Sequence, residues 1–509
     1  MTMPLFAGID SGTQSTKVLI VDGGGEIRGR GQAHYGLIEG LGTGHKEQHP
    51  DTWIAGLREA WRHAVSDLDP SQIAAIGVSG QQHGFVPLDE GGSIIRPAKL
   101  WCDTSTAAEA QEIMEARGGM EEFLELTGNA LPAGFTASKI LWLKKHEPES
   151  FARLATVLLP HDYLNFWLTG ERRMEWGDAS GTGLMDVRTR QWCREAITAI
   201  DGKLVEKLPA LSPSLEPCGT VRPEIAAELG VNPDCVVSAG GGDNMMGAIG
   251  TGNMTGGTVT ASLGTSGTIY AYSAEPVIDA RHGEIAAFCD STGGWLPLLC
   301  TMNVTVATEL VKRTFGLSTR EHDEAAGTVP PGAEGLMLLP YFEGERVPNV
   351  PEGSGVWFGY RERTHSAAHF ARAAMEGATL GLGYGLGRLR QLGIEPKEIR
   401  LTGGASASRI WRQILADVFG TPVVCTSEAE GAALGAALQA EAAWSAALGQ
   451  PADMEEICAR AVKLDPQTRA EPRPENVRLY KRMLALHEEL SGSLRPAFHH
   501  HAELFTEGG

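Results

Sequence analysis

Two short turns in the sequence carry the small polar residues that can hold a phosphate group. The first lies between the apolar runs LFAGID and KVLIVD, and the second lies between TVTASLG and TIYAYS. Glycine lets a phosphate oxygen come close to the amides of such a turn, and serine and threonine hydroxyls add hydrogen bonds. Either turn alone is typical of an ordinary hairpin, but the pair favours a phosphate site. Its candidate residues are Gly12, Thr13, Ser15, Lys17, Gly264, Thr265 and Ser266.

Two acidic residues end apolar runs near glycine. Asp10 closes the first apolar run, where it would repel a phosphate unless a divalent metal ion lay between them. Asp243 follows a predicted buried strand and three glycines, so its carboxylate faces open space rather than packed side chains. It is a candidate catalytic group, or an N-cap of the helix predicted from Asn244, and the two roles are compatible.

Further polar residues follow other predicted strands. Gln82 and His83 come after the run IAAIGVSG, and Trp101 and Asp103 stand in LWCDTS. Folds with parallel strands place ligand-binding groups at the strand ends, so these residues are candidates for a substrate site. A histidine held by its own loop is an equally good interpretation of His83.

The elements that must position these groups alternate between strand and helix patterns along the chain. Such alternation is typical of α/β domains with central sheets, and the repeated hairpin predicts two domains of related topology. Neither the G-x-x-x-x-G-K-[ST] loop nor a strand–G-x-G-x-x-G–helix unit is present. One predicted helix carries glycine at every fourth position, Gly377, Gly381 and Gly385, and must gain from close packing against backbone or a ligand.

Composition excludes some functions. A chain of 509 residues is too long for one core, and its net charge of −20 makes nucleic acid or anionic membrane an improbable partner. The eight cysteines are dispersed, without zinc-ligand spacing or a disulfide pattern, and the N-terminus shows no targeting signal. We therefore expect a cytoplasmic protein with reduced cysteines, and the sequence leaves a homodimer open.

The ordered motifs resemble the FGGY family of carbohydrate kinases, and within it the members that phosphorylate xylulose. The resemblance runs from Gly8 to about Ala440, and ten motifs in order make it specific. They are GIDSGTQSTK, SGQQHG, LWCDTST, GFTASKILWLKKHEP, HDYLNFWLTGE, GDASGT, GGGDNMMGA, SLGTSG, LPYFEGER and LTGGASASRIWRQILADVFG.

This resemblance implies a fold and a set of roles. The fold would be two actin-like ATPase (ribonuclease H-like) domains with a catalytic cleft between them. Their limits would be 1–250 and 251–445, followed by a helical extension over 446–509. Asp243 would be the catalytic base, with Asp10 and Asp243 near Mg²⁺. Substrate-binding residues would be Gln82, His83, Trp101, Asp103, Asp243 and Asn244, and ATP-binding residues Gly12, Thr13, Gln14, Ser15, Lys17, Gly264, Thr265, Ser266, Gly403, Gly404, Ala405 and Ser408.

The expected reaction is phosphorylation of D-xylulose by ATP to give D-xylulose 5-phosphate. Two departures from the family pattern concern the sugar end. Gln82 replaces the usual methionine, and Ser105 stands where many relatives have a basic residue. Another ketopentose or a polyol is therefore an alternative acceptor, and a noncatalytic actin-like nucleotide-binding scaffold is a more remote one. An amide at position 82 is expected to turn and meet an inverted hydroxyl.

Overall fold

Two mixed sheets with matching strand orders organise the chain. The computed structural model describes residues 3–506. These residues form two compact units. The first unit contains the residues up to Met254 together with Tyr272–Pro297 and Glu430–Lys463, and the second contains Thr255–Ala271, Leu298–Ala429 and the residues from Leu464 onward.

The strands number as follows along the chain. They are β1 (Leu5–Ser11), β2 (Ser15–Asp22), β3 (Ile27–His34), β4 (Glu47–Gln48), β5 (Ile73–Gly80), β6 (Val86–Leu88), β7 (Ala98–Lys99), β8 (Thr156–Leu158), β9 (Arg173–Glu175), β10 (Met185–Asp186), β11 (Gln191–Trp192), β12 (Ala210–Ser212), β13 (Pro217–Thr220), β14 (Val236–Ser238), β15 (Gly241–Gly242), β16 (Thr258–Leu263), β17 (Gly267–Ala271), β18 (Ala286–Cys289), β19 (Trp295–Thr301), β20 (Met337–Pro340), β21 (Gly355–Phe358), β22 (Glu398–Thr402), β23 (Val423–Thr426) and β24 (Leu464–Ala470).

The α-helices number in the same way. They are α1 (Pro50–Ala64), α2 (Ala107–Glu115), α3 (Met120–Thr127), α4 (Thr136–His146), α5 (Pro148–Arg153), α6 (Pro160–Thr169), α7 (Trp176–Ala179), α8 (Arg194–Thr198), α9 (Pro223–Leu229), α10 (Asp243–Gly250), α11 (Thr305–Phe315), α12 (Thr319–Gly327), α13 (Ala367–Gln391), α14 (Arg409–Phe419), α15 (Gly431–Ala447), α16 (Met454–Ala461) and α17 (Pro474–Thr506). Within residues 3–506, none of the helices is both long and apolar enough to cross a lipid bilayer.

The two main sheets repeat one topology. In the first sheet the order is β13-β14-β5-β1-β2-β3, and in the second it is β24-β23-β22-β16-β17-β19, with β18 as a further edge strand next to β19. Each contains a central strand, β1 or β16, that pairs antiparallel with the next strand of its hairpin and parallel with β5 or β22. Another parallel pairing follows in each sheet, to β14 or β23. The prediction of two α/β domains with related hairpins is confirmed, and each hairpin turn lies at the carboxyl end of a central strand.

Close backbone packing explains many of the clustered glycines. Helix α15 lies on the first sheet, and a methyl group at Gly8 or Gly77 would lie within 2.0 Å of a carbonyl oxygen of α15. The same helix packs on α10, where a methyl at Gly250 would lie 1.8 Å from the Gly431 carbonyl oxygen. The alanine and glycine run from Gly431 is therefore a buried packing helix.

The glycine stripe of α13 packs unevenly. A methyl at Gly377 would lie 2.4 Å from the carbonyl oxygen of Leu338, and one at Gly385 would lie 2.5 Å from a methyl of Leu299. At Gly381 a methyl would meet nothing within 4 Å outside the helix's own neighbouring backbone. Close packing therefore accounts for two of the three positions.

The chain passes from the first unit to the second between Met254 and Thr255, inside a glycine-rich stretch. Residues 446–463, which the sequence assigns to a C-terminal extension, belong to the first unit, and α17 belongs to the second. On α17, Tyr480 and Met483 are buried against Met337 and Leu380. The domain limits given from the sequence stay a prediction. They describe the domains of the family, whereas the two units described here are defined by the compactness of the chain.

Candidate active site

The first hairpin turn is held from several sides. The Gly12 amide donates to the Ser15 carbonyl over 3.0 Å, and the Tyr35 hydroxyl donates to the Gly12 carbonyl over 2.8 Å. The indole of Trp101 donates to Oγ1 of Thr13 over 3.1 Å. Thr13 in turn donates to Oε1 of Gln81 over 3.0 Å. Trp101, predicted at the sugar end, thus contacts the turn predicted to hold phosphate.

The buried side chain of Gln48 also supports this turn through hydrogen bonds. Gln48 donates through Nε2 to the Thr13 carbonyl over 2.7 Å. Its Oε1 accepts from the indole of Trp53 and from Nε2 of Gln81, both over 2.9 Å. These bonds fix the turn before any ligand arrives. Gln14 and Ser15, the other predicted contacts of this turn, are exposed and partly exposed.

Asp10 and Ser79 are register partners on the parallel strands β1 and β5. The Ser79 hydroxyl donates to Oδ1 of Asp10 over 2.9 Å. Burial raises the pKa of Asp10 above its usual value, and the positive charge of Lys17 only partly offsets this. Lys17 forms an ion pair with Glu430, whose negative charge raises the pKa of Asp10 further.

Asp243 is the first residue of α10, directly after β15. Its neighbour Asn244 donates from Nδ2 to Oδ1 of Asp243 over 2.9 Å. Burial raises the pKa of Asp243 to about 8, and the negative charges of Asp10 and Asp178 contribute. The role of simple N-cap is wrong, since Gly242 occupies the cap position. The carboxyl group is instead a strong proton acceptor when it is ionised.

The pair Asp10 and Asp243 suits a divalent cation. Both are carboxylates with raised pKa values, and Asp10 contributes to the raised pKa of Asp243. Mg²⁺ prefers such hard oxygen ligands and would compensate their charge. The donor set therefore fits the ion that the resemblance implies.

Gln82 is buried and its amide is held in place. Its Oε1 accepts from Nδ2 of Asn244 over 2.7 Å, and its Nε2 lies 3.2 Å from Sδ of Met245. A methyl on Gly242 would lie 2.6 Å from its Cγ. The expectation that this amide turns to suit different hydroxyls is wrong for this structure, because both of its ends are engaged. Gln82 instead connects through Asn244 to Asp243.

His83 has a left-handed backbone conformation, with φ of 61°, which is rare outside glycine and asparagine. Its ring packs against the rings of Phe135 and Phe288, at centroid distances of 4.7 and 5.3 Å, and these two rings also contact each other. Thr136 donates from Oγ1 to the His83 carbonyl over 3.2 Å. Such a conformation is kept only where the surroundings impose it, as they often do at functional sites.

Asp103 is fully buried and its carboxylate is occupied by the chain itself. Oδ2 accepts from the Lys46 amide over 2.8 Å and from Nζ of Lys99 over 3.2 Å, and Oδ1 accepts from Ser105. Lys99 also donates to Oγ of Ser105 over 2.8 Å. Lys99, from strand β7, therefore places a basic group against Ser105, a position that carries none itself. A direct contact between Asp103 and a sugar stays a prediction.

The position of Lys99 decides whether a metal ion could bind next to Asp103. His45, Glu47 and Asp103 offer ligand atoms close enough together for an ion. The ammonium group of Lys99 lies 3.1 Å from Nδ1 of His45 and 3.2 Å from both carboxylates. The ammonium group of Lys99 therefore already occupies the position that a metal ion would take in this cluster.

The second hairpin turn and the TGGAS segment meet in the second unit. The Gly264 amide donates to the Ser266 carbonyl over 3.0 Å, as Gly12 donates to Ser15 in the first turn. Thr265 is exposed at the tip of the turn. Gly403 has φ of 84°, and a methyl there would lie 2.5 Å from the Leu263 carbonyl oxygen. The structure therefore brings these two predicted nucleotide segments together.

The remaining predicted nucleotide residues follow Gly403. Gly404 is exposed, and Ala405 is buried. Ser408 caps α14, where its Oγ accepts from the Trp411 amide over 3.2 Å. A structural role thus accounts for Ser408 without a ligand, and its contact with ATP stays a prediction.

A group of buried charged residues below Gln82 and His83 was not singled out individually from the sequence. It consists of His161, Asp162, Glu175 and Asp178. Burial raises the pKa of Glu175 to about 7. The sequence shows these polar residues in the motifs HDYLNFWLTGE and GDASGT. It does not show that they cluster, because the cluster is formed by long-range contacts.

The chain belongs to the FGGY family of carbohydrate kinases. Residues 5–250 match the N-terminal domain of that family and residues 259–444 match its C-terminal domain. It is therefore a phosphotransferase of the carbohydrate kinase class, with an actin-like two-domain fold.

Individual relatives and solved structures show which carbohydrate kinases this chain is similar to. A xylulose kinase of Haemophilus influenzae is 41% identical over 94% of this chain and 97% of its own. The crystal structure of a ligand-bound xylulose kinase from Lactobacillus acidophilus has a TM-score of 0.90, with 25% identity over 97% of this chain and 99% of that one. A gluconate kinase structure from the same organism gives the same TM-score and identity over 98% and 99% of the two chains. Fold similarity alone therefore does not select the sugar.

Proposed function

We propose that this protein transfers the γ-phosphoryl group of ATP to the terminal hydroxyl of D-xylulose, forming D-xylulose 5-phosphate. The observation that carries the chemistry is Asp243, a carboxyl with a pKa of about 8 that is raised partly by the charge of Asp10 and is connected to Gln82 through Asn244. The choice of D-xylulose is supported by the relative that is 41% identical over 94% of the chain.

Asp243 would act as the general base. Its ionised oxygen takes the proton from the sugar hydroxyl as the new O–P bond forms and the bond to ADP breaks. A base with a pKa near the working pH combines a sufficient ionised fraction with strong proton affinity, and such catalysis is worth roughly 10²–10⁴ in rate. Asn244 holds Oδ1 of Asp243, so Oδ2 is the oxygen we assign to the hydroxyl.

The first turn would bind the transferred phosphate. Gly12 and Thr13 offer a bare, fixed backbone, and Gln14 and Ser15 lie at its rim. Lys17 would exchange its bond to Glu430 for a phosphate oxygen. Mg²⁺, when bound by Asp10 and Asp243, supplies charge neutralisation to the phosphates. Phosphoryl transfer depends mainly on such positioning and charge compensation.

The second turn and the TGGAS segment would bind the rest of ATP. We assign Gly264, Thr265 and Ser266 to phosphate oxygens, because in this turn, as in the first, a glycine amide donates across the turn, here to the carbonyl two residues on rather than three. Gly403, Gly404, Ala405 and Ser408 are assigned to the adenosine. The contact of Gly403 with Leu263 supports this pairing of the two segments.

The sugar would lie against Gln82, His83, Asn244 and Trp101. Each of these side chains is fixed by a contact described above, so their polar groups are oriented before substrate binds. A site of this kind rejects epimers, because a misplaced hydroxyl leaves one of its own polar groups unpaired. We expect Asp103 to fix the loop that carries Trp101.

The experiment that tests this function measures ADP release with a panel of acceptors. The panel contains D-xylulose, D-ribulose, L-xylulose, L-ribulose, gluconate, glycerol and pentitols, with ATP and Mg²⁺ in each case. D-xylulose is expected to give the highest kcat/KM. Another ketopentose or polyol as the best acceptor would keep the kinase chemistry and replace the sugar. ATP binding without turnover on any acceptor would favour a nucleotide-binding scaffold.

The proposed cellular compartment and partners follow from the free cysteines and from the net charge of the chain. All eight cysteines are free thiols, which suits the reducing cytoplasm. The net charge of −20 disfavours nucleic-acid and membrane partners. A homodimer stays a prediction, and sedimentation velocity over a range of protein concentrations would test it.

A further inference from the structure

Asp178 is a fully buried carboxylate that the proposed reaction does not use. Its Oδ1 lies 3.3 Å from Nδ1 of His83, and its Oδ2 lies 3.4 Å from Nδ1 of His161. Nε2 of Gln82 lies 3.5 Å from the same Oδ1. Asp178 therefore faces both residues of the predicted sugar-binding dipeptide from the protein interior.

The imidazole ring of His83 has little freedom to choose another position. The rings of Phe135 and Phe288 contact it, and a methyl group on Gly181 would lie 2.0 Å from its Cε1. Its carbonyl oxygen accepts from Nζ of Lys139 over 3.3 Å. Since the backbone and the ring are both fixed, the remaining variable is which ring nitrogen carries the proton.

The charge of Asp178 is secured from its other side. His161 lies between Asp178 and Asp162, with its Nε2 3.0 Å from Oδ1 of Asp162. Burial alone would lower the pKa of His161, but these two carboxylates raise it well above the usual value. Burial would likewise raise the pKa of Asp178, yet the side-chain contacts that His161 and His83 make with it hold that pKa at about 2. Asp178 therefore stays a carboxylate, which can only accept hydrogen bonds.

We propose that Asp178 is a positioning residue for the sugar, which acts by holding the proton of neutral His83 on Nδ1. Nε2 is then the ring's acceptor for a sugar hydroxyl. Asp178, which lies behind His83, sets the tautomer of the histidine that binds the sugar. Carboxylates have the same role beside catalytic and metal-bound imidazoles in other proteins. This proposal rests on the proposed function only for the identity of the hydroxyl compound.

The test replaces Asp178 by asparagine and uses Asp162→Asn as its matched control. Both aspartates are buried and both contact His161, and Asp178 also lies 3.3 Å from Nδ1 of His83. The amide of Asp178→Asn can donate to Nδ1, which moves the His83 proton to Nε2. We expect the KM for D-xylulose to rise at least about tenfold, and the KM for ATP to change less than about twofold. Asp162→Asn should leave both KM values within about twofold.

The tautomer itself is read by ¹⁵N–¹H correlation spectra of histidine side chains in the full-length protein, with His83 assigned by His83→Gln. The wild type should show His83 protonated on Nδ1, Asp178→Asn should show it on Nε2, and Asp162→Asn should match the wild type. An Nε2-protonated His83 in the wild type would overturn the proposal even if Asp178→Asn fails to fold. Equal KM values for D-xylulose in Asp178→Asn and wild type would also overturn it. Absence of turnover on D-xylulose in the wild type would instead contradict the proposed function, because the spectra do not depend on activity.

Discussion

Lys17 in the first hairpin and Glu430 before α15 form an ion pair, although they stand 413 positions apart in the chain. Both side chains are about one-third exposed, so solvent screens their attraction. Lys17 is the register partner of Asp10 in the hairpin whose turn we assign to phosphate, and its charge lowers the pKa of Asp10. The ion pair therefore places Glu430 in competition with ATP for the same ammonium group.

Removing that competitor should strengthen ATP binding. We expect Glu430→Gln to lower the KM for ATP by about two- to fivefold, because a weak exposed ion pair costs about 1 kcal/mol or less to exchange. Lys17→Met should raise the KM for ATP by about tenfold or more. Steady-state kinetics at saturating D-xylulose measure both. A higher KM for ATP in Glu430→Gln would mean that Glu430 holds Lys17 in position for the phosphate.

The raised pKa of Asp243 predicts a pH-dependent cost in stability. The folded-state pKa is about 8 and the ordinary value is 3.8, so folding favours the protonated form. Its contribution to stability is present below pH 3.8 and is lost as pH rises through about 8. Asp243→Asn should therefore melt at a higher temperature than the wild type near pH 8, with the difference growing from pH 4 upward.

Thermal melts in EDTA, without substrates, measure this difference. Asp10→Asn is the companion variant, since the charge of Asp10 is one cause of the raised pKa. A difference between Asp243→Asn and wild type that stays constant from pH 4 to 8 would contradict the assigned ionisation. Asp243→Asn should also lose at least about 10²-fold in turnover, which separates stability from function.

Asp10→Asn keeps the shape of the side chain and removes its charge. We expect the Mg²⁺ concentration for half-maximal activity to rise at least about tenfold, because one of two carboxylate ligands is lost. Ser79→Ala is the control, since it removes a hydrogen bond to Asp10 and leaves the charge. Activity titrated against Mg²⁺ at fixed ATP gives the comparison. Equal Mg²⁺ requirements in Asp10→Asn and wild type would reduce Asp10 to a strand-end residue.

The glycine stripe of α13 offers a matched pair of substitutions. A methyl at Gly377 would lie 2.4 Å from the Leu338 carbonyl oxygen, whereas one at Gly381 meets nothing within 4 Å. Gly377→Ala should destabilise the protein by about 1–3 kcal/mol, and Gly381→Ala should stabilise it by up to about 1 kcal/mol. Urea unfolding measures both. Similar effects of the two substitutions would contradict this assignment of packing, and a raised KM for ATP in Gly381→Ala would assign the open space to the nucleotide.

Much of the fold could be predicted because its signals are local. The runs LFAGID and KVLIVD form β1 and β2, and the segment around WRQILADVF forms α14, since apolar periodicity and turn residues decide such elements. The repeated hairpin predicted two domains of related topology, and the two sheets have that relation.

The rest depends on contacts between distant parts of the chain. The sequence could not indicate that Gln82 is held by Asn244, which lies 162 positions further along the chain. Nor could it place Asp178 against His83. These pairs come from separate strands and loops that only the folded sheet brings together, so residue type and spacing carry no direct signal of them.

The central claim is that Asp243 promotes transfer of phosphate from ATP to the terminal oxygen of D-xylulose. The most direct test follows this product by ³¹P and ¹³C NMR, with D-xylulose labelled at C5, for wild type and Asp243→Asn under saturating ATP and Mg²⁺. The account predicts that the wild type forms a phosphomonoester coupled to C5, and that Asp243→Asn forms it at least about 10²-fold more slowly while still binding ATP. A phosphate on another carbon, no sugar phosphate from the wild type, or an undiminished rate in Asp243→Asn would contradict it.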